Sequence, residues 1–297
     1  MKKRLLSIFR TQKPPVSSPQ HSSRWNRQKQ TLKADSLLTP TLQTLALAVR
    51  LRSGVRPMGY LWVRDRATLF YFGYGLVGLL VIAVSFGFTY GLPVARGTFS
   101  APWFVHLHGA SSLAWVLLFI GQAALVRAER TPSHRKVGRI ALPLAVLVWG
   151  SGIATAVWAA NRDILEQSTA ATSALLGTVT GLSIFVLLIG AAIVAWKRSD
   201  WHKRLVLLAT IHLLWPAFFR LRHWLPAVPD PEIWLAMVMA YSPILVAAAR
   251  DRWIYGKVHP VWLFIAPVLV LEQSIEVASF DRGIQRALGQ WLFALLT

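Results

Sequence analysis

Two imidazoles, His106 and His108, open the apolar run WFVHLHGASSLAW at 103–115, and two more, His212 and His223, flank Arg220 in IHLLWPAFFRLRHW at 211–224. Ionisable groups inside stretches apolar enough to cross a bilayer are costly unless they face the protein interior or water. They are candidates for proton transfer, for metal or haem ligation, or for charge pairing. His108, Trp115 and Gln122 recur every seven residues and share one helical stripe, whereas His106 points nearly opposite, toward headgroups. On a regular helix His212, Pro216, Arg220 and His223 fall within about 80° of one another, and Pro216 kinks that helix. Glu272 and Glu276 stand one turn apart in a further segment.

Depth limits which of these meet. At about 1.5 Å per residue, His108 lies roughly 10 Å and His223 roughly 13 Å outside the midplane, with His212 roughly 4 Å inside it. Paired imidazoles at like depth on facing helices suit a b-type haem. His108 and His223 would be its axial ligands, with His106 and His223 the other pair of like depth, His212 a substitute, and Arg220 a partner for a propionate or for Glu272 and Glu276. The other reading makes these groups intramembrane hydrogen bonds and ion pairs that pin three helices together. Both remain open at this point.

The elements that must position these residues follow from hydropathy. The chain is 55% hydrophobic with 14 Trp and a mean hydropathy of +0.47, values natural for a polytopic membrane protein. A spanning helix needs about 20 apolar residues. Suitable stretches fall near 68–91, 103–126, 140–160, 171–196, 205–224, 233–249 and 260–280. The expected fold is all-α, a bundle of seven transmembrane helices over 58–280. It is preceded by a basic, disordered cytoplasmic tail or mis-called gene start at 1–57 and followed by a short external segment at 281–297. No cysteine is present, which removes disulfides, iron–sulfur ligation and c-type haem attachment. No HExxH, phosphate loop or nucleophile elbow occurs, so hydrolase and nucleotide-driven classes have no support.

The net charge of +20 is a matter of orientation. The loops at 127–139, 197–204 and 250–257 carry twelve Lys and Arg, and the opposite side carries six. By the positive-inside rule the N-terminus is cytoplasmic and the C-terminus external. The expected partners are therefore the inner (plasma) membrane lipid and a membrane protein, with no nucleic acid. The three basic loops also repeat a pattern. Each has a small-residue helix, a basic cluster, a histidine (His134, His202 or His259) and a new apolar helix. This makes three parallel hairpins after one leading helix. The three histidines form a second, inner candidate set for ligation, and the alternative is that they are interfacial residues beside the neighbouring Trp. GTVTG at 177–181 reads as a small-residue contact that lets two helices approach closely.

The combination HLHGASSLAWVLLFIGQAALV, HRKVGRIAL and HKRLVLLATI with WPAFFR resembles a group of uncharacterised bacterial multi-pass membrane proteins, over roughly residues 68–280. More distantly it is similar to b-type transmembrane cytochromes and to membrane proteins of terminal-oxidase assembly. The matching positions are His108, Trp115, Gln122, His134, Arg135, Gly138, Arg139, His202, Lys203, Arg204, Pro216 and Arg220. The resemblance implies one haem b or metal on the outer half, serving electron transfer or oxidase assembly. Two other readings stand beside it. One is a proton-coupled small-solute transporter with a hinge at Pro216 and His212, Arg220 and Glu272 along its path. The other is a structural or assembly subunit without chemistry of its own.

Overall fold

The computed structural model describes residues 58–297 apart from 167 and 169, with side chains from Thr68 onward. The chain divides into residues 1–61 and 62–297, and the expectations for the tail at 1–57 lie outside the described residues. The described elements are all helical. Helix α1, Met58–Phe86, continues through a π-helical turn, Gly87–Gly91, into a last turn, Leu92–Ala95. Then come α2, Trp103–Arg127, the short α3, Thr131–Gly138, and α4, Ala141–Leu165. Helix α5 is Ala171–Val194 and α6 is Ser199–Leu213; α7, Trp215–Arg220, and a 3-10 turn, Leu221–His223, prolong α6. Two further π-helical stretches, Glu232–Met239 and Val261–Ile265, lead into α8, Ala240–Tyr255, and α9, Ala266–Ser279. The chain closes with α10, Gly283–Leu296.

Seven helical segments are long and apolar enough to cross a membrane, and they coincide with the seven expected stretches. Their ends follow local chemistry. Proline, which lacks an N–H, stands at or just before the starts of α2, α3, α7 and the two π-helical stretches. Gly256, at φ 72°, ends α8 in the left-handed conformation that a side chain disfavours. Outward positions such as Leu80, Leu187, Leu245 and Phe264 are exposed and apolar, as a lipid-facing surface requires.

One span lies inside the others. In Ser199–His223, 61% of the most apolar window is buried, against 33% or less in each of the other six. Leu207, Leu208 and Ile211 of α6 are completely enclosed by Val148, Phe185, Val261 and their neighbours. This central segment is not the regular helix that the spacing of His212, Pro216, Arg220 and His223 assumes. It breaks at Leu214, because Pro216 has no N–H to return to the carbonyl of residue 212. His212 and Arg220 have different neighbours, Gly181 and Tyr241 for the first and Phe86 for the second.

The segment at 281–297 folds as α10 along α5. Gly289 fits there because a Cβ would overlap the backbone of Thr172 and Ser173. Leu292 and Phe293 pack beside Ala156, Ala160 and Leu175, while Ile284, Leu288, Trp291 and Leu295 form an exposed apolar stripe.

Candidate functional site

The stripe on α2 does face inward. His108 donates its Nδ1–H to the Val148 carbonyl at 3.2 Å, Trp115 donates to Thr210 Oγ1 at 3.2 Å, and Gln122 serves His134 at the basic end. The ring of His108 lies against Gly152, where a Cβ would come within 2.8 Å of it. His106 instead accepts a 2.5 Å bond from, or donates it to, the Tyr90 hydroxyl, beside the ring of Phe99.

A hydrogen-bonded chain starts from His212. Its Nε2–H donates to the Gly181 carbonyl at 3.1 Å, which leaves Nδ1 to accept from the Tyr241 hydroxyl at 2.9 Å. The Tyr241 oxygen also lies 3.4 Å from Gln273 Oε1. Gln273 Nε2 donates to Glu276 Oε2 at 3.1 Å. Glu276 is seated against Gly177, where a Cβ would overlap its carboxylate. His212, Tyr241 and Gln273 are all at most 5% exposed. The GTVTG segment therefore does more than allow close helix approach. Gly177 makes room for a carboxylate and Gly181 offers its carbonyl to an imidazole.

Tyr241 has one proton and two acceptors. With His212 neutral, that proton points to Nδ1. With His212 protonated, Nδ1–H points to the Tyr241 oxygen and the phenol turns toward Gln273. The chain thus has two hydrogen-bond polarities that differ by one proton at His212. An amide exchanges protons poorly, so Gln273 orients the chain while His212 and Glu276 are the groups able to carry charge. Near this chain the Tyr74 hydroxyl and Glu272 Oε2 are sealed from solvent with no partner.

Arg220 does not pair with Glu272 or Glu276, contrary to the pairing offered by the sequence. After the break at Leu214 its guanidinium lies 4.5 Å over the ring of Phe86 and makes a long 3.4 Å contact to the Pro216 carbonyl. His108, Arg222 and His223 lie within its electrostatic reach. Three of the sequence candidates, His108, His223 and Arg220, thus share one neighbourhood, and His212 belongs to another.

These positions bear on haem. His212 commits both ring nitrogens to protein groups. His108 fits better, since a carbonyl on Nδ1–H orients the ring and leaves Nε2 with its lone pair. His223 sits on the 3-10 turn at the end of the span, exposed. Two apolar grooves, of about 470 and 410 Å³, are lined by no histidine. Among the described residues no three His, Cys, Asp or Glu side chains gather as a metal site.

The histidines His134, His202 and His259 are each held by hydrogen bonds at helix ends. Gln122 donates to His134 Nδ1 and to the His134 carbonyl (3.1 Å), and accepts from the Gly138 N–H at 2.9 Å. His202 donates Nδ1–H to the Ala192 carbonyl at 2.8 Å. His134 and His202 meet edge to face with ring centres 6.4 Å apart. His259 is elsewhere: Nδ1 accepts the Val261 N–H at 3.2 Å and Nε2–H donates to Asp200 at 3.2 Å. Partial burial, with Arg204 nearby, holds the His259 imidazole below its ordinary value against the pull of Asp200. Beneath these lies a buried ion pair. Asp251, 1% exposed, accepts from Arg204 Nε at 2.5 Å, Trp262 Nε1 at 2.8 Å and Arg250 at 3.3 Å.

Sequence reasoning missed Tyr241, Gln273 and Asp251. Each left a trace: Tyr241 stands two residues before a proline inside a span, Gln273 lies between two glutamates, and Asp251 is the lone acid of its basic loop. Comparisons of the chain with protein-family models, with curated proteins and with solved structures find no match.

Proposed function

We propose that the protein is a proton-coupled small-solute transporter of the inner membrane, with its N-terminus cytoplasmic and its basic loops on the same side. The observation that supports this is the chain His212–Tyr241–Gln273–Glu276. An imidazole and a carboxylate, neither paired with an opposite charge, are joined by hydrogen bonds inside an apolar bundle. Such groups are costly at that depth and are kept where a proton must be held. A break in the central helix beside them supplies a place for movement.

The test is proton uptake into pyranine-loaded proteoliposomes under an imposed pH gradient. Wild type is expected to acidify the lumen, Glu276→Gln and His212→Gln to do so at least about tenfold more slowly, and Gln273→Leu to fall between. Wild-type rates in correctly folded Glu276→Gln overturn the proposal.

A second reading rests on His108, whose Nδ1–H bond to Val148 is the arrangement that prepares an imidazole for ligation. In it His108 and His223 would hold one haem b, with Arg220 and Arg222 near its propionates, for electron transfer or oxidase assembly. A dithionite-reduced spectrum with sharp α and β bands, lost in His108→Ala, would select this reading over the first.

A further inference from the structure

We propose that Arg220 binds the anionic group, a carboxylate or a phosphate, of a ligand at the end of the bundle opposite the basic loops. This rests on the transporter reading only in taking that ligand for the solute.

Arg220 carries an unbalanced charge. A guanidinium offers five N–H donors, and at Arg220 one of them makes a contact of 3.4 Å, longer than an ordinary hydrogen bond. The charge lies 4.5 Å over the Phe86 ring. The charged groups within its reach are themselves cationic or neutral: Arg222, His223 and His108. Glu232 acts on Arg222. Glu272 and Glu276 belong to the helix α9 chain, where Glu276 is held by Gln273 and seated at Gly177.

A half-buried cation without a counter-charge is expensive. Elsewhere the molecule supplies one: Arg204 has Asp251, Arg162 has Asp163 and Arg286 has Asp281. The missing partner at Arg220 is therefore an anion from outside the described residues. Its donors are not sealed in the way that the unpartnered Arg250 Nη2 is, so a ligand can reach them. The fork geometry of a guanidinium selects paired oxygens, a carboxylate or a phosphate, over a spherical ion. Such an anion comes either as a free solute or as a phospholipid headgroup.

The experiment follows the unfolding midpoint of the full chain in neutral detergent by tryptophan fluorescence. Sodium acetate or sodium phosphate is titrated against sodium chloride at matched ionic strength. Wild type is expected to gain stability saturably with either anion and not with chloride. In Arg220→Gln the half-saturating concentration should rise at least about tenfold, and Arg220→Lys, which keeps the charge without the fork, should fall between. The same titration in nanodiscs identifies the source. A response that persists in both phosphatidylcholine and phosphatidylglycerol discs assigns a free anion. A response absent in phosphatidylglycerol discs, with a higher starting midpoint there, assigns the headgroup.

Equal responses in wild type and Arg220→Gln overturn the proposal, as does no response in detergent or in either disc. If Arg220→Gln does not fold, equilibrium dialysis of radiolabelled phosphate against wild type, with acetate as competitor, decides the same point. None of these readouts needs proton movement, so they stand or fall apart from the Glu276 flux test.

Discussion

The two ends of the bundle treat the same kinds of residue in opposite ways. At the basic end each ionisable group described above has a structural partner: Arg204 with Asp251, His134 with Gln122, His202 with the Ala192 carbonyl, His259 with Asp200 and Val261. In the middle, and around Arg220 at the far end, the charges stand apart, although Arg162 and Arg286 at that end do have Asp163 and Asp281. Glu276 is held by an amide, Glu272 Oε2 has no partner, and Arg220 rests on an aromatic ring. The sequence places histidines beside arginines at both ends, so residue type does not tell architecture from a working site. What tells them apart is whether each donor and acceptor is already taken.

That contrast can be broken at its strongest point first. Asp251→Ala leaves two guanidiniums and an indole N–H without their acceptor and should destabilise the protein by about 3–5 kcal/mol, read as a fall in the denaturation midpoint. Glu276→Gln removes a charge that no cation balances. It should leave stability equal or higher while proton uptake falls, the reverse of the Asp251 result. Gly177→Ala drives a Cβ into the Glu276 carboxylate and should cost about 1–3 kcal/mol. Adding Glu276→Ala should recover most of that loss, a coupling that a plain helix–helix contact would not show.

The smallest effect belongs to His259. Its imidazole is held below its ordinary value, so the unfolded chain binds the proton more tightly than the folded one. The stability it contributes is present above about pH 6.5 and is lost as the pH falls below that. Protonating Nδ1 removes the acceptor of the Val261 N–H. A shallow acid-side slope in thermal stability, absent in His259→Asn, is the expected result.

The seven spans were legible because a bilayer imposes a length and an apolar composition that few local details can disguise. The inward stripe of α2 was legible too, since a regular helix carries His108, Trp115 and Gln122 to one side. The site was less so. Regular 3.6-residue spacing put His212 and Arg220 on a common face of a helix kinked at Pro216, but the two take different neighbours, Gly181 and Tyr241 for His212 and Phe86 for Arg220. The GTVTG segment looked like a backbone contact because spacing shows that a space exists, not which side chain enters it. The chain through Tyr241 and Gln273 joins residues 29 and 32 apart on three helices, a distance no periodicity spans.

The central placement of α6 carries a consequence for how the protein is made. Its span has a mean hydropathy of 1.4, the lowest of the seven, and holds Arg204, His212 and Arg220. Alone at the translocon such a segment partitions weakly into lipid. Its retention is then expected to depend on α5 receiving it and on the later helices closing around it. Truncation after His223 should leave this segment slipping back into water, so a glycosylation tag placed just beyond it would report a mixed topology that the full chain does not have.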